Sequence, residues 1–179
     1  MKYFTRELLE SGQSKDPAIL NRHEELWDEA CERYFNRLDT LKAGMPPGLR
    51  QLVDNYYLHD AVIRGMGQRG RSFLIVIQLD TPPESLLTFV YDLVAEPEID
   101  KAALALKDCS AGSVVEWQYD EIERIEGEPP TWRHSTLFSN GWEVVLHFRD
   151  VRVEEAQALL PSPRDGHLVA IPSAASHST

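Results

Sequence analysis

Hydrophobic positions change their spacing near the middle of the chain, and the change separates two kinds of structure. Ile19, Leu26, Ala30, Tyr34, Leu38 and Leu41 recur three or four residues, or two turns, apart. That is one apolar stripe along a helix of 3.6 residues per turn. Asp16 followed by Pro17 supplies the acceptor side chain and pre-set φ that start such a helix, and Gly44 with "MPPG" stops it. A short helix around residues 6–10 comes first, ended by the turn-forming "SGQSKD". Another follows, with Leu49, Leu52, Val53 and Tyr56 on its inner face.

Beyond residue 57 the period shortens to two. "AVIRGM" and "SFLIVIQL" flank the glycine-rich "GQRGR", which predicts a hairpin, and the unbroken apolar run over 73–77 predicts a shielded strand. In "LLTFVYDLVAE", Thr81 and Glu84 resemble a capping box, but Leu87, Phe89, Tyr91 and Leu93 alternate, which predicts a strand. "KAALALK" reads as a short helix or turn, "SVVEWQYDEI" as a strand, and "EEAQALL" as a brief helix. "WRHSTLF" and "WEVVLHF" around Asn140 and Gly141 predict a second hairpin. The expected architecture is α+β, with two or three N-terminal helices packed on an antiparallel sheet of about five strands built from hairpins. Residues 1–57 form the helical segment and 58–160 the sheet, together one compact domain, with 161–179 as a flexible tail.

Composition narrows the class. A chain of 179 residues can bury roughly two thirds of its unfolded surface without a metal or disulfide staple. Cys31 and Cys109 match no zinc or CxxC spacing, so both are expected as reduced thiols in a cytoplasmic protein. No stretch approaches a membrane span, and the formal net charge of −11 makes nucleic acid and anionic lipid poor partners. Residues 92–128 hold eleven acids against Lys101, Lys107 and Arg124. Such a stretch either keeps a sheet edge soluble or docks a protein with a basic surface.

Hairpin register turns the histidines into candidates. With a two-residue turn at Asn140 and Gly141, His134 faces His147, close enough for two imidazoles to share a metal. In that register Thr136 faces Val145, and Trp132 faces Arg149 as a cation–π pair. Leu137, Trp142, Val144, Leu146 and Phe148 then form the core side. With Arg69 and Gly70 as the first turn, His59 faces Asp80, as a carboxylate-oriented general base would, while Asp60 faces Leu79. No HExxH, phosphate loop or GxSxG is present, and the acidic helix lacks Glu-x-x-His pairs. Cys31 lies among acids that disfavour a thiolate nucleophile.

"MKYFTRELLE", "YYLHDAVI", "WQYDEIERI" and "HSTLFSNGWEVVLHF" together resemble an uncharacterised bacterial domain-of-unknown-function family over about residues 1–155. That resemblance implies helices preceding a sheet in a bacterial cytosolic protein and transfers no catalytic residue. The "LHD" before a strand is also loosely similar to immunity-type proteins of bacterial toxin systems.

Three functional expectations follow. The first is a non-enzymatic intracellular protein that binds or regulates a basic partner through Glu121, Glu123 and Glu126, with Trp132 and Arg149 as further contacts. The second is a metal-dependent or acid–base hydrolase using His59, Asp60 and Asp80, with His134 and His147 nearby. The third is a small-ligand module, in which Trp27, Tyr56, Trp117 and Tyr119 line a cleft between helices and sheet. No cofactor is predicted, and self-association into a homo-oligomer stays open.

Overall fold

The computed structural model describes residues 1–80, 85–101 and 114–156. Three α-helices come first: α1 (Arg6–Ser11), α2 (Pro17–Leu41) and α3 (Pro47–Asn55). Seven strands follow: β1 (Val62–Arg69), β2 (Ser72–Gln78), β3 (Leu86–Leu93), β4 (Glu98–Asp100), β5 (Trp117–Ile125), β6 (Thr131–Phe138) and β7 (Glu143–Ala156). They form one antiparallel sheet in the order β1-β2-β3-β7-β6-β5, with β4 paired to β7. The class is α+β with N-terminal helices, as expected, on a sheet of more strands than expected.

Asp16 caps α2 by accepting the Ala18 N–H, and Pro17 occupies the first turn. Ala30, Tyr34, Leu38 and Leu41 of the stripe are buried, while Ile19 and Leu26 near the start of α2 are exposed. The Tyr34 hydroxyl accepts the N–H of Ile122 at 3.0 Å, so α2 satisfies a donor on the outer edge of β5. Helix α3 has proline at its N-cap position and hence no side-chain cap of its own. Asp150 of β7 serves instead, accepting the N–H groups of Leu49 and Val151. A register shift between the β3–β7 pairs Leu93 with Phe148 and Tyr91 with Val151 falls next to Asp150. Such a bulge re-aims a side chain out of the alternation.

The sheet curls until its two end strands meet. Asp60 N–H donates to Trp117 O, Trp117 N–H to Ala61 O, and Ile63 N–H to Val115 O, each at 2.8 Å. The "LHDA" stretch is therefore the seam that closes the curl. Asp60 sits there at φ 64°, and the Ala61 N–H returns to Leu58 O. A short polar residue tolerates this left-handed position of a turn far better than a β-branched one.

The second hairpin departs from the expected register by one residue, and the first by two beside its turn and by one beyond a bulge. Phe138 N–H donates to Trp142 O and Gly141 N–H to Phe138 O, with Gly141 at φ 83°. That is a three-residue loop with glycine in the left-handed position, where a two-residue turn was expected. A one-residue slip sends alternate side chains to the other face. His134 therefore pairs with Leu146, His147 with Arg133, Thr136 with Val144 and Trp132 with Phe148. Leu137 leaves the expected core face and packs with Leu9 in a smaller cluster. In the first hairpin the turn is Gly70 and Arg71, because Arg69 pairs with Ser72, and a second shift falls between Ile63 and Gly65. The ladder ends at Val62 with Gln78, so no strand pairing sets His59 opposite Asp80.

Residues 86–93 are a strand, as their alternation predicted. Residues 154–156 of the expected "EEAQALL" helix instead continue β7, where Glu154 pairs with Thr88 and Glu155 with Leu87. Its remainder lies outside the described residues, as do the Thr81 and Glu84 box, Cys109, the "KAALALK" element after Lys101, and the tail over 161–179. No helix among the described residues is long and apolar enough to cross a membrane.

Candidate functional site: an aromatic cavity with one carboxylate

Between the helices and β5 lies a cavity of about 320 Å³. Helix α2 contributes Trp27, Cys31 and Phe35, residues on the flank of its stripe, and α3 contributes Leu52 and Val53. The link from α3 to β1 adds Tyr56, Tyr57 and His59, and β5 adds Gln118, Tyr119 and Asp120. Ring contacts form a continuous band around it: Phe4 to Trp27 at 5.0 Å, Trp27 to Tyr119 at 4.8 Å, and Tyr119 to His59 at 5.8 Å. Tyr57 continues the band from His59 at 6.1 Å. Tyr57 and Phe35 at the margin are 73% and 56% exposed, an arrangement that leaves large apolar faces in water.

Burial pushes the Tyr119 hydroxyl up to about 12, with Cys31 and Asp60 adding to the rise. The Cys31 thiol is raised by burial first and by Asp28 second, which keeps it protonated and a poor nucleophile.

The cavity's carboxylate belongs to a buried chain of polar groups. The Tyr91 hydroxyl lies 2.9 Å from His134 Nδ1, and His134 Nε2 lies 3.1 Å from Asp120 Oδ2. Trp117 Nε1–H donates to Asp120 Oδ1 at 3.0 Å. Burial, followed by the Asp120 charge, holds the Tyr91 hydroxyl well above the ordinary phenol range. Tyr91 therefore keeps its proton and needs an acceptor. The arrangement that satisfies every group has Tyr91 donating to Nδ1 and His134 donating from Nε2 to Asp120.

The expected site residues separate. His59 lies on the cavity, with Nδ1 3.1 Å from Asp60 Oδ2, so the two neighbours do meet. Asp60 also accepts from Gln118 Nε2 at 3.3 Å. Asp80 is exposed at the end of β2. His134 is buried in the core, whereas His147 is half-exposed with Nε2 3.4 Å from Glu98, so the expected facing pair does not form. Among the described residues no three His, Cys, Asp or Glu side chains come within reach of one metal ion. Trp132 is buried against Phe148, and Arg149 is exposed beside Asp92 at 3.4 Å, which replaces the expected cation–π pair.

Glu121 is only 3% exposed, and its carboxylate accepts the backbone N–H groups of Lys2, Tyr3 and Phe4. It anchors the N-terminal segment, so it is not available to a docking partner. Glu123 pairs with Arg133 at 3.1 Å, and Glu126 is exposed. Of the aromatics expected in a ligand cleft, Trp27, Tyr56 and Tyr119 line the cavity, while Trp117 is fully buried behind Asp120.

Asp120 itself escaped the sequence reading. At period two its strand neighbours are Gln118, Ile122 and Arg124, so nothing local marks it as a core-facing acid. No protein-family model and no curated protein sequence matches the chain.

Proposed function

We propose that this protein is a non-enzymatic cytoplasmic module that holds a small, largely apolar organic molecule between its helices and its sheet. The observation that carries the reading is the cavity of about 320 Å³, walled by aromatic side chains and carrying one carboxylate fixed from behind. Ligand sites have this makeup: an apolar wall that supplies affinity and a few convergent polar groups that set orientation. The motif resemblance to a bacterial cytosolic family supports the cellular setting.

Titration with N-phenylnaphthylamine, an uncharged dye that fluoresces in apolar surroundings, tests the reading. Saturable one-to-one enhancement is expected in the wild type. It should be lost in Val53→Trp, which fills the cavity from α3, while circular dichroism remains native. Enhancement unaffected by Val53→Trp would place the dye elsewhere and overturn the assignment.

Acid–base hydrolysis has one observation in its favour, His59 oriented by Asp60 beside the same cavity. His59→Gln separates the two readings. Ester hydrolysis that disappears in this variant while dye binding persists would favour the enzyme.

A further inference from the structure

The apolar cavity has an electrostatic asymmetry. Its lining brings in Asp120 but, among the described residues, no lysine or arginine. Asp120 is held by two partners at hydrogen-bond distance, the His134 imidazole and the Trp117 indole. The Asp120 side chain keeps 26% of its surface exposed. The same space is lined by Trp27, Tyr119 and Tyr57, aromatic rings whose quadrupoles also attract positive charge. A carboxylate and an aromatic wall around one space both favour a cation, and the low surrounding dielectric strengthens that preference.

Resting on the ligand-binding reading above, we infer that the occupant of this cavity is an organic cation: an amine or quaternary ammonium group on an apolar body, its charge directed at Asp120 and its body against the Trp27 and Tyr119 rings. His134 and Trp117 hold the Asp120 carboxylate in place. Binding therefore requires no reorganisation of the anion.

The test uses two probes of the same shape, benzyltrimethylammonium and its uncharged carbon analogue neopentylbenzene. Each competes against N-phenylnaphthylamine at slightly alkaline pH. The cation is expected to displace the dye at concentrations about tenfold or more below those the analogue needs, the scale of a desolvated cation–π contact. Asp120→Asn should narrow that ratio. Gln118→Lys, which puts a positive charge on the wall without touching the Asp120 network, should weaken displacement by the cation far more than displacement by neopentylbenzene. If neopentylbenzene competes as well as the cation in the wild type, the cationic assignment fails and the apolar pocket stands. If the dye itself does not bind, the pocket reading fails and this inference with it.

Discussion

The Tyr91 hydroxyl and the His134 imidazole meet at 2.9 Å inside the curled sheet, with no water-facing surface on either side chain to speak of. This contact sets which nitrogen of His134 carries the proton, and so fixes how Asp120 is presented to the cavity. Tyr91→Phe removes the donor and leaves Nδ1 as a buried acceptor without a partner. That costs about 1–3 kcal/mol, read as a lower denaturant midpoint at unchanged slope. The nitrogen resonances of His134 should report the Nε2–H tautomer in the wild type. Resonances that place the proton on Nδ1 instead would contradict the arrangement.

Alkaline pH should weaken the fold through its tyrosines. Burial, then Asp120, raises the Tyr34 and Tyr91 hydroxyls well above the ordinary phenol range, and Tyr119 is pushed up to about 12. Because the unfolded chain releases these protons first, their contribution is complete below about pH 10 and is lost as pH rises towards the folded values. Denaturant midpoints measured across that window should fall. Tyr119→Phe should fall less steeply, and an equally steep decline would remove Tyr119 from the explanation.

Gly48 inverts a familiar rule. Glycine to alanine inside a helix ordinarily stabilises by up to about 1 kcal/mol. A Cβ on Gly48 would lie 1.6 Å from the Val151 carbonyl oxygen, because α3 rests directly on the β7 backbone. Gly48→Ala must push the helix off the strand and is expected to destabilise by about 3 kcal/mol or more. A neutral or stabilising result would mean that the two elements are not in contact there.

Glu121 is expected to behave as an anchor. Glu121→Gln exchanges an acceptor oxygen for a donor facing backbone N–H groups, so amide exchange at residues 2–4 should accelerate markedly. Glu126→Gln, at an exposed position, should leave those amides unchanged. Equal effects from the two would show that the N-terminal segment is held by something other than Glu121.

Local signals in the sequence carried most of the fold. The Asp16 cap and the stripe ending at Leu41 marked α2, and the alternation of Leu87, Phe89, Tyr91 and Leu93 marked β3. Register was harder to read. Asn140 and Gly141 fit a two-residue turn as well as the last two positions of a three-residue one, and the difference of one residue moved His134 from the surface to the core. Nothing local announces that residues 60–63 meet residues 115–117, since that seam is a long-range pairing between strand ends. The cavity depends on that seam, which brings His59 beside Tyr119. Its aromatic walls were partly legible in Trp27, Tyr56 and Tyr119, and its carboxylate was not.

The four tryptophans provide the most direct test. Trp27 lines the cavity and Trp117 bonds to Asp120 behind it, whereas Trp132 packs against Phe148 and Trp142 lies under Lys101. Two-dimensional NMR of the indole N–H groups during titration with benzyltrimethylammonium resolves these environments. Cation binding in this cavity predicts that the Trp27 and Trp117 signals shift together and saturably, with Trp132 and Trp142 fixed. Shifts confined to Trp142, or no saturable shift at Trp27, would contradict it.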